Sequence, residues 1–170
     1  MNIYQTIEKR RSVRVYKEDP VSEKILNKIL EAGRLAPSAH NSQEYKFVVV
    51  KDAEKRKKLA EAADQKFVGR APIIIIALSL EPDHLLSSGV PAYALDLGIA
   101  LDHMTLAAVE EGLATCWIGA FSQEKVKRVL NVPPELKVVA LLPLGYPDDA
   151  PSPKSRKSIE ELVCYEEFSE

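Results

Sequence analysis

The chain has 170 residues, 46% of them apolar and 28% charged, enough for one ordinary domain with a sizeable core. A formal net charge of −2 and an aromatic content of 6% argue against a nucleic-acid binder, which needs clustered cations and stacking rings. The two cysteines, Cys116 and Cys164, form no C-x-x-C pair, no Cys/His spacing suits zinc, and Met1–Arg10 lacks the apolar core of a signal peptide; together these point to a reducing cytoplasm.

Residues 2–10 read as a short helix with Ile3 and Ile7 on one face. Ser22 is a plausible N-cap for a helix over 23–35, where Ile25, Leu26, Ile29, Leu30 and Leu35 recur at helical spacing until Pro37 stops it. After the polar loop 38–43, residues 45–51 read as a strand, 53–64 as a charged helix and 72–80 as a second buried strand. Residues 81–90 carry turn residues and are expected to form a mobile connection. Helix 91–111 follows, with Gly112 as its cap; it is apolar nearly all round, but Asp96, Asp102 and His103 make it too polar for a bilayer span. A short strand over 115–118, a helix over 123–130 capped by Ser122, and a long strand over 136–144 complete the regular elements. Residues 145–158 are rich in Pro, Ser and charge, and a last short helix is expected at 159–163. Alternating helices and strands give an α/β or α+β class in one layered domain spanning 1–170. The tail, about 147–170, has too few apolar groups for a core of its own and is expected to lie across something else, such as a partner subunit.

Three polar segments lack a packing explanation. In Arg10-Arg11-Ser12-Val13-Arg14, residues 10, 12 and 14 alternate, so an extended backbone would point all three one way. Two guanidinium forks and a hydroxyl suit a phosphate dianion, although a solvated basic patch looks the same in isolation. The loop Pro37-Ser38-Ala39-His40-Asn41-Ser42-Gln43 offers amides and hydroxyls suited to a heteroaromatic ring edge, and equally to an ordinary turn. His40 has no evident carboxylate or metal partner and is not read as a base. Pro153-Lys154-Ser155-Arg156-Lys157 is a second alternating basic segment, or a solvated tail. In Cys116-Trp117-Ile118-Gly119-Ala120, Gly119 would let another group approach the backbone, where free N–H groups would face a ring; a plain turn is the other reading.

Taken in order, these segments resemble the nitroreductase family of flavoproteins. The matching pieces are Arg10–Tyr16, Ala36–Gln43, Asp96–Ala100 with Leu106–Ala108 and Gly112-Leu113, Cys116–Phe121, Leu144–Pro147 and Lys154–Arg156, which together span nearly the whole chain. The resemblance implies an α+β fold, with a mostly antiparallel sheet flanked by helices, and an interwound homodimer holding FMN at its interface. It implies that Arg10, Arg11, Ser12 and Arg14 hold the phosphate and ribityl chain, with Lys154 and Arg156 closing on the phosphate. Pro37, Ser38, Ala39, Asn41 and Gln43 would come from the other subunit, and Ile118 and Gly119 would offer backbone contacts to the ring. Helix 91–111 would be the main dimer helix. The implied activity is hydride transfer from NADH or NADPH to a nitroaromatic, quinone or similar acceptor by a ping-pong scheme. It needs no catalytic side chain, metal, nucleic acid or membrane. Specialised dehalogenating or flavin-fragmenting enzymes of the same fold, and a non-enzymatic FMN-binding module, share these motifs. Two departures stand out: Glu44-Tyr45 replaces the Pro-Trp of many members, and the region between about 67 and 90 lacks the long helical insertion of larger ones.

Overall fold

In a computed structural model that describes residues 1–169, the chain builds a four-stranded sheet in the order β1-β2-β4-β3, every neighbour antiparallel. The strands are β1 (Tyr45–Val50), β2 (Ile73–Ser79), β3 (Ala114–Thr115) and β4 (Lys137–Gly145). The helices are α1 (Ile3–Lys9), α2 (Glu23–Arg34), α3 (Ala53–Ala63), α4 (Ala92–Glu110) and α5 (Gln123–Leu130), with short 3₁₀ turns at Ala39–Asn41 and Lys66–Arg70. This is the α+β class with a central antiparallel sheet flanked by helices.

Both faces of the sheet are covered, which explains the unbroken apolar run Ile73–Leu78. A strand buried on two sides has no solvent face on which to alternate polar residues. Ile73, Ile75 and Ala77 of β2 face α2 and α4, together with Leu26, Ile29, Leu97, Leu101 and Met104. Ile74, Ile76 and Leu78 face the other way, against Leu59 and Ala63 of α3 and Val126 of α5. α2 approaches α4 closely because Gly33 has no side chain there. A Cβ at Gly33 would lie 2.1 Å from the Met104 methyl carbon.

Helix starts follow their sequence signals. Asn2, Ser22, Asp52 and Ser122 each accept a backbone N–H from the first turn, as side-chain caps do. Gly112 stands just past α4 at φ 77°, the left-handed conformation that ends helices. α4 is long and apolar enough to cross a membrane, yet its residues Leu97, Ala100, Leu101, Met104 and Ala108 are fully buried in the domain core.

Three expectations change. The strand expected at 115–118 is laddered only at Ala114–Thr115, and Ile118 then makes a separate bridge to Leu141. The helix expected at 159–163 is a single turn, closed by N–H bonds from Leu162 and Val163 to the Ile159 carbonyl. No apolar face packs beneath it, since Ile159 and Leu162 are exposed, and one turn alone cannot offset the cost of nucleation. The connection 81–90 is tied down more than its turn residues suggest: Leu86 N–H bonds Val90, Ala92 N–H bonds His84, and the His84 imidazole meets Glu44 at 3.1 Å.

Candidate functional site

The segment Arg10–Arg14 leaves α1 and runs along the end of the sheet in extended form. Arg10 N–H closes the last turn of α1 on Thr6, and Val13 N–H then bonds the Thr115 carbonyl at 3.1 Å, making a parallel bridge from Ser12 to β3. Val13 turns inward and is buried with Tyr16, Ala71 and Ala114. Arg10, Ser12 and Arg14 therefore turn the other way, as the alternation requires. Tyr16 locks the arrangement: its hydroxyl donates to the Val13 carbonyl at 2.8 Å. Burial, aided by the nearby Cys116 and Asp149 and opposed by Arg14, keeps that phenol protonated well beyond the usual tyrosine range.

The far wall comes from the tail. Lys17 N–H bonds Tyr146, and Asp148 N–H bonds Val15, so the chain beyond β4 folds back over the same segment. The result is a cleft of about 710 Å³ lined by Arg10, Arg11, Ser12 and Arg14 on one side and Pro151, Ser152, Pro153, Lys154 and Arg156 on the other, with Ile7 and Glu8 at its rim. Two basic segments more than a hundred positions apart in sequence thus meet. Among the described residues, none of these five cations forms an ion pair with a carboxylate. Five converging cations against the single carboxylate of Glu8 leave an excess of positive charge that suits an anion, and guanidinium forks suit phosphate best.

The five are not equivalent. Arg11 donates to the carbonyls of Glu8 and Arg10, so its fork caps the C-terminal end of α1. Arg14 is exposed and bonds only the Ser12 carbonyl, at 3.4 Å, while its guanidinium carbon lies 5.8 Å from the centre of the Phe67 ring. Phe67 is held there because Arg56 donates to the carbonyls of Gly69 and Ala71 at 2.8 and 2.6 Å, fixing the turn that carries it. Cys116, just past β3, is a buried thiol that does not line the cleft. Burial pushes its pKa up, against the pull of Arg14, Ser12 and Arg10.

Other expected residues lie outside this cleft. Pro37, Ser38, Ala39, Asn41 and Gln43 do not line it. Their loop is nonetheless well defined: His40, Asn41 and Gln43 are all left-handed, with φ of 52°, 57° and 54°, and each such non-glycine residue costs on the order of 1 kcal/mol or more. Ser38 Oγ accepts Gln43 N–H at 3.2 Å, and Gln43 Nε2 donates to the Asn41 carbonyl at 3.0 Å. Ile118 spends both backbone groups on Leu141, N–H and C=O at 2.9 and 3.0 Å, so its N–H is not available to a ring as its sequence position suggests. Gly119 beside it is open: a Cβ there would meet nothing within 4 Å.

Sequence reasoning missed several neighbours. Phe67 beneath Arg14 carries no local signal, since it lies in a turn far along the chain. Asp96, which accepts the Ala39 N–H, had one: a lone acid near the start of an apolar helix. Among the described residues, no three His, Cys, Asp or Glu groups converge as metal ligands would.

Fold and cleft together define an α+β domain with a cation-lined cleft at the β3 edge of its sheet. Residues 2–170 match a family model described as "Putative TM nitroreductase". An NADH dehydrogenase from Thermus thermophilus is 32% identical over an alignment covering 92% of each chain. The crystal structure of a nitroreductase family protein from Clostridium novyi NT superposes with a TM-score of 0.84 at 35% identity, over 91% of this chain and 89% of that one. The NADPH:FMN oxidoreductase from Vibrio harveyi, complexed with NAD+, gives a TM-score of 0.90 at 28% identity, over 100% of this chain and 79% of that one. The chain belongs to the nitroreductase family.

Proposed function

We propose that this chain is an FMN-dependent oxidoreductase that takes electrons from NADH or NADPH and works in the cytoplasm as a homodimer. The observation that carries the reading is the cleft of Arg10, Arg11, Arg14, Lys154 and Arg156, five cations without a carboxylate partner among the described residues. A flavin phosphate is the anion this donor set fits. Similarity to flavin-dependent and nicotinamide-dependent relatives supports the same conclusion.

Arg10, Arg14, Lys154 and Arg156 would hold the phosphate, Ser12 would donate to it, and Arg11 would brace the segment from the end of α1. Gly119, kept in place by the Ile118–Leu141 bridge, would leave room for the ring. Pro37, Ser38, Ala39, Asn41 and Gln43 would complete the pocket from the second subunit. Apolar side chains left exposed among the described residues support such a partner: Ile3, Tyr4 and Ile7 on α1, Leu95 and Ile99 on α4, and Phe168 in the tail. In this arrangement residues 1–170 form one domain whose tail lies on the partner. The chemistry the cofactor supplies when bound is hydride acceptance from NAD(P)H and delivery to a nitroaromatic, quinone or similar acceptor, in two half-reactions of ping-pong form. The protein's share is to bind, orient and neutralise charge, which needs no nucleophile.

The test is direct. Purified protein should be yellow and release a compound with the mass of FMN. NADH or NADPH should bleach it anaerobically, and a quinone or nitroaromatic should restore the colour. A protein that takes up no added FMN overturns the reading, and bound FMN that neither donor reduces removes the nicotinamide step.

A further inference from the structure

α4 carries three acids, and only Asp96 is buried, at 5% exposure. A carboxylate in an apolar helix is costly unless something bonds it. Its partner is the backbone N–H of Ala39, 2.9 Å from Oδ1. Among the described residues, this is the sole hydrogen bond that ties Ser38–Gln43 to another helix. The remaining bonds of the loop are local: Asn41 N–H to Ser38, Ser42 N–H to Ala39, Gln43 N–H to Ser38 Oγ, Gln43 Nε2 to Asn41, and Tyr45 N–H, at the start of β1, to the Gln43 carbonyl. Local bonds shape a loop but do not orient it as a body. Three left-handed non-glycine residues in this stretch also need an outside restraint. The Asp96 carboxylate also sits close to Tyr45, at the start of β1. Burial first, and then the Asp96 charge, hold that phenol's pKa above its ordinary value.

We propose that Asp96 is a positioning residue for the flavin: by holding Ala39 N–H it fixes the Ser38–Gln43 loop in the shape that packs along the cofactor. This rests on the flavin reading of the preceding subsection.

Three variants test it. Asp96→Ala removes the acceptor. Asp96→Asn keeps an acceptor oxygen without the charge. Ala39→Pro removes the donor N–H and leaves α4 untouched, and Ser38, extended at φ −139° and ψ 160°, already has the backbone that precedes a proline. Each is titrated with FMN by fluorescence quenching, the visible spectrum of the bound flavin is recorded, and thermal unfolding of the apoprotein is followed. Asp96→Ala and Ala39→Pro should each weaken FMN by about 10-fold or more and alter its absorption envelope, while Asp96→Asn stays within about threefold of the parent. Parent-like affinity and spectrum in both Asp96→Ala and Ala39→Pro overturn the proposal. So does an Asp96→Asn protein as weak as Asp96→Ala. Arg14→Ala separates the two levels: if it weakens FMN while the loop variants do not, the phosphate cleft stands and only the role of Asp96 falls. If the parent takes up no FMN, both fall. Ala39→Pro decides the matter should Asp96→Ala fail to fold.

Discussion

Replacing Arg14 by alanine probes the cleft most cleanly, because this side chain has little to do with the fold. It is exposed, and its one hydrogen bond, to the Ser12 carbonyl, is long at 3.4 Å. Loss of the side chain should therefore change unfolding free energy by no more than about 0.5 kcal/mol, the usual range for surface positions. Its contribution to ligand is larger. A charged hydrogen bond to phosphate is worth about 1.5–3 kcal/mol, or roughly 10- to 150-fold in Kd. The Phe67 ring, 5.8 Å from the guanidinium carbon, is near the outer limit of a cation–π contact and serves to orient the fork. Fluorescence titration with FMN should show the loss in Kd, and the loss should shrink as salt rises, because the contact is electrostatic. Arg11→Ala is the matching control. Its fork bonds the Glu8 and Arg10 carbonyls, so its truncation should cost thermal stability in proportion to its effect on flavin, whereas Arg14→Ala should cost flavin alone. Unchanged FMN affinity in Arg14→Ala would refute the assignment of this cleft to phosphate.

Two further outcomes follow from the scaffold beneath the cleft. Gly145→Ala would put a Cβ 2.6 Å from Pro72 Cδ and 3.2 Å from the Tyr16 ring; because proline cannot yield as a flexible chain can, stability should fall by about 1–3 kcal/mol, read as a Tm lower by several degrees. Tyr16 predicts alkaline sensitivity: its folded pKa lies above its unfolded value, so above about pH 10 the unfolded chain loses the proton first and stability declines with rising pH. Tyr16→Phe should be less stable than the parent at neutral pH, since the Val13 carbonyl loses its 2.8 Å donor, yet show a shallower alkaline decline in a series of denaturant melts. An equally steep decline in Tyr16→Phe would assign the effect to other groups.

Much of the fold is legible in the sequence because its signals are local. Helical spacing in Ile25–Leu30 and the caps Ser22 and Ser122 depend on neighbours a few positions away. The same holds for the alternation of Arg10, Ser12 and Arg14, whose common orientation needs only an extended backbone. What stays hidden depends on distant partners. That Arg11 turns back on α1 follows from where the helix ends, and residue type alone does not reveal it. Phe67 reaches Arg14 only because Arg56 fixes a turn at Gly69 and Ala71. Ile118 gives up its N–H to Leu141, a pairing that the short strand signal at 115–118 conceals. The turn at Ile159 failed as a helix for the converse reason: its local signals are present, including the Ser158–Glu161 exchange, but nothing packs on it.

The excess positive charge of the cleft reaches beyond recognition. Five like charges drawn into one hollow by folding repel each other, and among the described residues none is ion-paired, although Glu8 lies at the rim. An anion that binds only the folded form adds about 2.7 kcal/mol at a free concentration of one hundred times its Kd. That is a large share of the 5–15 kcal/mol that typically keeps a domain folded. Cofactor supply would then govern how long each copy survives as well as how fast it works, since the empty form opens more often and is the one proteases find.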